Sequence, residues 1–182
     1  MFIVIVLAAV LAGAMPQAPA PAQAPGTTVD TVRALVTAER WDEMDARIQQ
    51  IEVDDPAWPR LASVVYQAGI ARNDLPWVIE RLSHVAATTT NTSIKASTLI
   101  IVARAYRRLD NRDAATRALE TAKAAAPGTP YAEEAAGLIY EVEHLSVGMP
   151  APAFIAKARK GSTVNLAQLR GKPVVLVFWG TT

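Results

Sequence analysis

From Thr27 to Leu145 the apolar residues recur at spacings of three and four, and no other feature limits the fold of this chain so tightly. That spacing lines them along one stripe of an α-helix, and the stripe must be buried against another helix. Val29, Val32, Leu35 and Val36 make one face, and Trp41, Met44, Ile48 and Ile51 make the next. Pro56 and Pro59 then break the chain. Leu61, Val64, Val65 and Ala68 follow, and after them Val78, Ile79, Leu82 and Val85. Asp74 with Pro76 close behind it marks a helix start, because Asp caps free N–H groups and Pro is tolerated in the first turn. Ala87 to Ser93 reads as a polar loop.

The clearest helical hairpin runs from Leu99 through Val102, Ala103 and Tyr106 to Ala115, Leu119 and Pro127. The small Ala103 and Ala115 let two helices approach, Tyr106 and Leu119 fill the space between them, and Pro127 ends the second helix. Asp110-Asn111 falls where the turn belongs. This order of large and small positions resembles the tetratricopeptide repeat, with Ala103 in place of the usual glycine and Leu99 at the large first position. The earlier segments read as one or two degenerate units; Met44, Ile48, Ile51 and Pro56 fit a second half loosely. Thr129-Pro130 starts a last helix with Tyr131, Ala135, Leu138, Ile139, Val142 and Leu145 along one side, which would cap the stack. Such units bury their faces on their neighbours, so about three hairpins form a stable core. Residues 27–146 are therefore expected to form a TPR-like helical domain whose concave side takes a peptide or protein ligand.

The charge of +1 over 182 residues is too balanced to suggest nucleic acid or an anionic membrane as partner. With no cysteine, this stretch holds no disulfide and no thiolate metal site. His84 and His144 lack ligating neighbours at metal spacing, so neither a metal nor a cofactor is expected. Asp54-Asp55 ahead of Pro56 reads as a turn rather than a carboxylate dyad. Glu133-Glu134 reads as a solvated pair in a first helical turn. Arg104, Arg107, Arg108 and Arg112 read as a solvated basic face, with an acidic partner as the alternative. Asn91-Thr92-Ser93 is a formal glycosylation sequon.

Phe2 to Ala12 is an unbroken apolar run, too short for a bilayer span but of signal-peptide length. Ala12-Gly13-Ala14 offers a small-x-small cleavage site, although no Lys or Arg precedes the run. Residues 1–14 are thus expected to be a signal peptide, placing the protein in the periplasm or outside the cell, or tethering it to a membrane. Residues 15–26, MPQAPAPAQAPG, favour an extended polyproline-like linker.

The last stretch, residues 147–182, reads differently. Val174 to Trp179 is continuously apolar, as in a strand buried on both faces of a parallel sheet, and Pro173 fits only its first position. Phe154–Ala158 and Thr163–Asn165 can pair as a hairpin around Gly161, and Asn165–Leu169 can form a short helical turn before Gly171. The series Gly148-Met-Pro-Ala-Pro152-Ala-Phe154, then Leu166-Ala-Gln-Leu169-Arg-Gly-Lys-Pro-Val-Val-Leu-Val-Phe-Trp-Gly-Thr, resembles the opening of a thioredoxin-like domain of the TlpA/ResA type, within the redoxin and AhpC/TSA group. The resemblance implies a Cys-x-x-Cys pair directly after Thr182, flanked by Phe178, Trp179, Gly180, Thr181 and Thr182. It implies an activity too: a thiolate activated at a helix N-terminus exchanges disulfides with envelope proteins or a redox partner. Without cysteines the 182 residues would be inactive by themselves. A peroxiredoxin-like peroxidase is the alternative, but that group usually places a proline after the aromatic pair, and here Gly180 follows Trp179. A third reading is a TPR-type binding module with a redox-dead appendage. The expected fold is mainly α, built of TPR-like hairpins, followed by an incomplete α/β thioredoxin-like segment.

Overall fold

Among the described residues, six of the seven helices begin with a capping side chain or a proline that suits the unpaired N–H groups of a first turn; the helix after Arg40 has neither. A computed structural model describes residues 27–157 and 161–177. Seven helices are present among them: α1 (Thr28–Thr37), α2 (Trp41–Gln49), α3 (Trp58–Ala71), α4 (Leu75–Thr88), α5 (Thr92–Arg108), α6 (Arg112–Ala125) and α7 (Pro130–His144). Thr27 and Asp30 form a reciprocal capping box on α1. Asp74 accepts the Trp77 N–H, Asn91 those of Ser93 and Ile94, and Asn111 that of Ala114. Pro59, Pro76 and Pro130 all stand in first turns. Pro59 therefore starts α3 and does not break the chain. The loop expected over Ala87–Ser93 shrinks to residues 89–91, because Thr88 bonds its hydroxyl back to the His84 carbonyl and Asn91 caps the next helix.

One turn recurs through the stack. Glu39, Asn73 and Asp110 all take left-handed backbone, with φ of 54°, 55° and 55°. The N–H of the next residue reaches back to Leu35, Gly69 and Tyr106 carbonyls respectively, at 3.0, 2.8 and 2.9 Å. This is the Schellman closure of a helix C-terminus, and it links α1 to α2, α3 to α4 and α5 to α6 in the same way. Three helical hairpins result. The first helix of each also packs on the first helix of the next, so that α1, α3, α5 and α7 form one row; α4 packs on α5 and α6 on α7.

Burial follows the same period. Met44 and Ile48 of α2 are buried with Ile51 just beyond its end, as are Val78, Leu82 and Val85 of α4, and Ala115, Leu119 and Ala122 of α6. The first two hairpins share a core of large side chains around Trp58, Met44, Leu61 and Leu82. The α5–α6–α7 core is built mostly of alanine, including Ala96, Ala103, Ala115 and Ala135, and Tyr106 packs against both cores. Leu145, expected on the buried side of α7, is exposed, since it lies just past the end of the helix.

Beyond α7, β1 (Ile155–Lys157) pairs antiparallel with β2 (Thr163–Asn165), with Ala156 opposite Val164. Gly161, on the connection between them, has φ 84°. A 3-10 turn over Leu166–Leu169 follows, its start capped by Asn165. The hairpin and the turn lie where the sequence pattern puts them, although Ala158 is outside the described residues. The strand expected from Val174 differs: residues 173–177 form no strand, and Val175 and Val177 are exposed. The only sheet among the described residues is the two-stranded hairpin, which gives that apolar segment no ladder to join.

Candidate functional site

The row of first helices brings the starts of α1 and α3 and the first turn of α7 around one groove. Its cavity is about 720 Å³, lined by Thr27–Val29, by Asp55–Ala57, by Pro59 and Arg60, and by Tyr131. Pro56, Pro59, Val29 and Ala57 supply apolar wall. Arg60 is exposed and Tyr131 is half-buried, so a cation and a phenol face the opening. Asp55 spends its carboxylate on the Ala57 N–H at 2.8 Å. Periodicity alone did not single out these residues, because the groove joins positions more than seventy residues apart.

Next to the groove, Asp54 does more than make the turn expected of it. Its carboxylate accepts the Thr89 hydroxyl, the Thr90 N–H at 3.0 Å, the Thr90 hydroxyl at 3.1 Å and the Asn91 N–H at 3.4 Å. One side chain thereby ties the α2–α3 loop to the α4–α5 loop. The Thr89 hydroxyl above all, then the Thr90 and Asn91 donors, hold its carboxyl below the ordinary range against a smaller opposing effect of desolvation. The Thr27 hydroxyl likewise lowers Asp30.

Arg72 closes the opposite end of the first two hairpins. Its guanidinium carbon lies 4.7 Å from the Trp77 ring centre and 5.9 Å from that of Trp41, and its Nη1 is 3.1 Å from both Asp45 oxygens.

The four arginines read as a solvated face are all exposed, and two of them also make surface ion pairs between helices. Arg104 pairs with Glu134 at 2.7 Å and Arg107 with Glu141 at 3.0 Å, tying α5 to α7. Glu133 and Glu134 are both exposed, as expected, and Glu134 is the partner of Arg104. Arg112 points its guanidinium at the Val147 carbonyl, 3.5 Å away, and Arg108 is exposed. His84 is exposed, and His144 rests on Tyr140 with ring centres 4.5 Å apart. No group of three metal-ligating side chains occurs among the described residues. Phe178, Trp179, Gly180, Thr181 and Thr182 lie outside the described residues, as do residues 1–26. No helix among the described residues is long and apolar enough to cross a membrane.

The fold thus defines a mainly helical protein of stacked hairpins, with a groove at the starts of α1, α3 and α7. Comparison with protein-family models, curated proteins and solved structures finds no match.

Proposed function

We propose that these residues form the N-terminal part of a cell-envelope thiol–disulfide oxidoreductase of the TlpA/ResA type, in which a TPR-like stack carries the redox domain. The reading rests on one observation: the ordered series from Gly148 to Thr181, with the β1–β2 pairing and the Leu166–Leu169 turn at the positions that series requires. The exposed Val174–Val177 segment agrees with it, because a strand apolar on both faces needs strands on either side. In this reading the cysteine pair follows Thr182, and the stack places partner proteins near it. The first thiolate attacks a disulfide sulfur of the partner, a mixed disulfide forms, and the second thiol resolves it.

The test is to read the gene beyond the Thr182 codon and assay the encoded protein for insulin reduction. A following Cys-x-x-Cys and a rate lost on replacing either cysteine are the expected results. One cysteine in a Thr-x-x-Cys setting, with peroxide consumption, would establish the peroxidase alternative instead. A stop codon would remove the redox reading. The groove beside Tyr131 supports the remaining reading, a binding module. In that case residues 27–146 would retain a specific protein partner with the redox segment deleted.

A further inference from the structure

We infer that the outer face of α7 is a self-association surface, on which a second copy of this chain docks its own α7 antiparallel about a two-fold axis. The helices α1, α3 and α5 are each covered by the second helix of a hairpin, whereas no helix follows α7 among the described residues. α7 buries Ala135, Ile139 and Val142 toward α5 and α6. Its other side carries Glu133, Gly137, Tyr140 and His144, all exposed. Nothing within a single chain calls for Gly137: a Cβ there would meet nothing within 4 Å, and glycine is the poorest helix former after proline. A bare backbone on an exposed helix face suits the close approach of a second molecule. Tyr140, one turn further on, leaves half its surface in water.

The occupant follows from spacing and charge. Glu133, Gly137, Tyr140 and His144 are separated by four, three and four residues, a spacing that reads the same in both directions. An antiparallel copy turned about the midpoint between Gly137 and Tyr140 therefore sets Tyr140 of each chain on Gly137 of the other. It also sets Glu133 of each chain against His144 of the other, so both ends are matched at once, as a closed two-fold interface requires. No ion pair among the described residues uses Glu133. His144 Nε2 lies 3.8 Å from Glu143 of its own chain, beyond hydrogen-bond length, so its ring can donate to the carboxylate of the second copy. Beside the stripe, Ala132 and Ala136 of α7 with Ala124 and Pro127 of α6 line a largely apolar groove of about 450 Å³, which offers the incoming Tyr140 ring a wall.

The contact is small. One 15-residue helix crossing another falls short of the ~800 Å² per partner of a standard interface, so a Kd of about 10–100 µM is expected. The test is sedimentation equilibrium of the 182-residue chain over about 5–300 µM, a range that brackets such a Kd. Tyr140→Ala should weaken the dimer by about tenfold or more. Gly137→Gln should do the same while raising the urea midpoint of the dilute monomer, because glutamine is the better helix former. Glu133→Lys should also weaken the dimer, and Glu133→Lys joined to His144→Glu should restore the native Kd to within about threefold. A chain that stays monomeric throughout overturns the proposal. Association left unchanged by Tyr140→Ala and Gly137→Gln also overturns it, by assigning self-contact to another surface such as the exposed Val174–Val177 segment. A charge exchange that restores nothing overturns the antiparallel two-fold pairing.

Discussion

Gly69 lies directly against Val78: a Cβ on Gly69 would fall 2.0 Å from Val78 Cγ2. The two stand nine residues apart across the α3–α4 turn, as Tyr106 and Ala115 do across the α5–α6 turn, and the large and small partners have changed places between hairpins. A hairpin can close with bulk on either helix, but not on both.

Gly69→Ala should therefore destabilise the protein by about 1–3 kcal/mol, despite alanine's better helix propensity. Val78→Ala in the same chain should recover part of that loss by freeing the space. Urea unfolding of the two variants measures both, and a stabilised Gly69→Ala would show that the contact is relaxed.

The Arg72 site should behave as one unit. Arg72→Ala leaves Asp45 half-buried beside two indoles and should cost about 1–3 kcal/mol. Arg72→Lys should restore less than half, because an ammonium lacks the flat guanidinium that stacks on Trp77 while one nitrogen meets both Asp45 oxygens. A double-mutant cycle with Asp45→Ala should show clear coupling.

Asp54 makes a prediction with a sign. Its carboxyl titrates lower in the folded protein than its ordinary 3.8, so the clasp contributes fully above that value. The contribution is lost as pH falls through the lower folded value. Asp54→Asn should be less stable than the native chain at pH 7, with the difference shrinking below about pH 4 as the native carboxyl becomes protonated. Unfolding midpoints across pH 2–7 test this; a gap that does not change with pH would assign the effect to the neutral hydrogen bonds.

The C-terminal hairpin should be the first part to open. β1 and β2 pair only with each other among the described residues, and both are largely exposed. Their amides should exchange faster than those of α3, α4 and α5, which carry the core. The reverse order would mean that the hairpin docks on the helices.

Much of the stack was legible because its signals are local. Asp74 and Thr129-Pro130 mark helix starts and Asp110-Asn111 a turn through chemistry confined to a few residues, and the three- and four-residue spacing marks the faces of the helices. The edges were less legible: Ala87 and Thr88 look like loop, yet tertiary packing of Val85 and Ala86 carries α4 through them. Arg104 and Glu134 look like independent surface charges because their pairing needs α7 laid on α5. Val174 to Val177 shows strand character, but a strand requires neighbours, and the described residues provide none.

The order of apolar and small residues by itself determined that residues 27–145 become paired helices, since burial of a helical stripe and the capping of free N–H groups depend on neighbours three or four positions away. Only the tertiary structure decided that Asp54 holds Thr89, that Arg72 fills the space between Trp41 and Trp77, and that Thr27, Arg60 and Tyr131 meet at one groove. Those contacts depend on how each hairpin is set on the next. That setting emerges from the packing of whole faces, in which Gly69 yields to Val78, and no single window of the chain contains it.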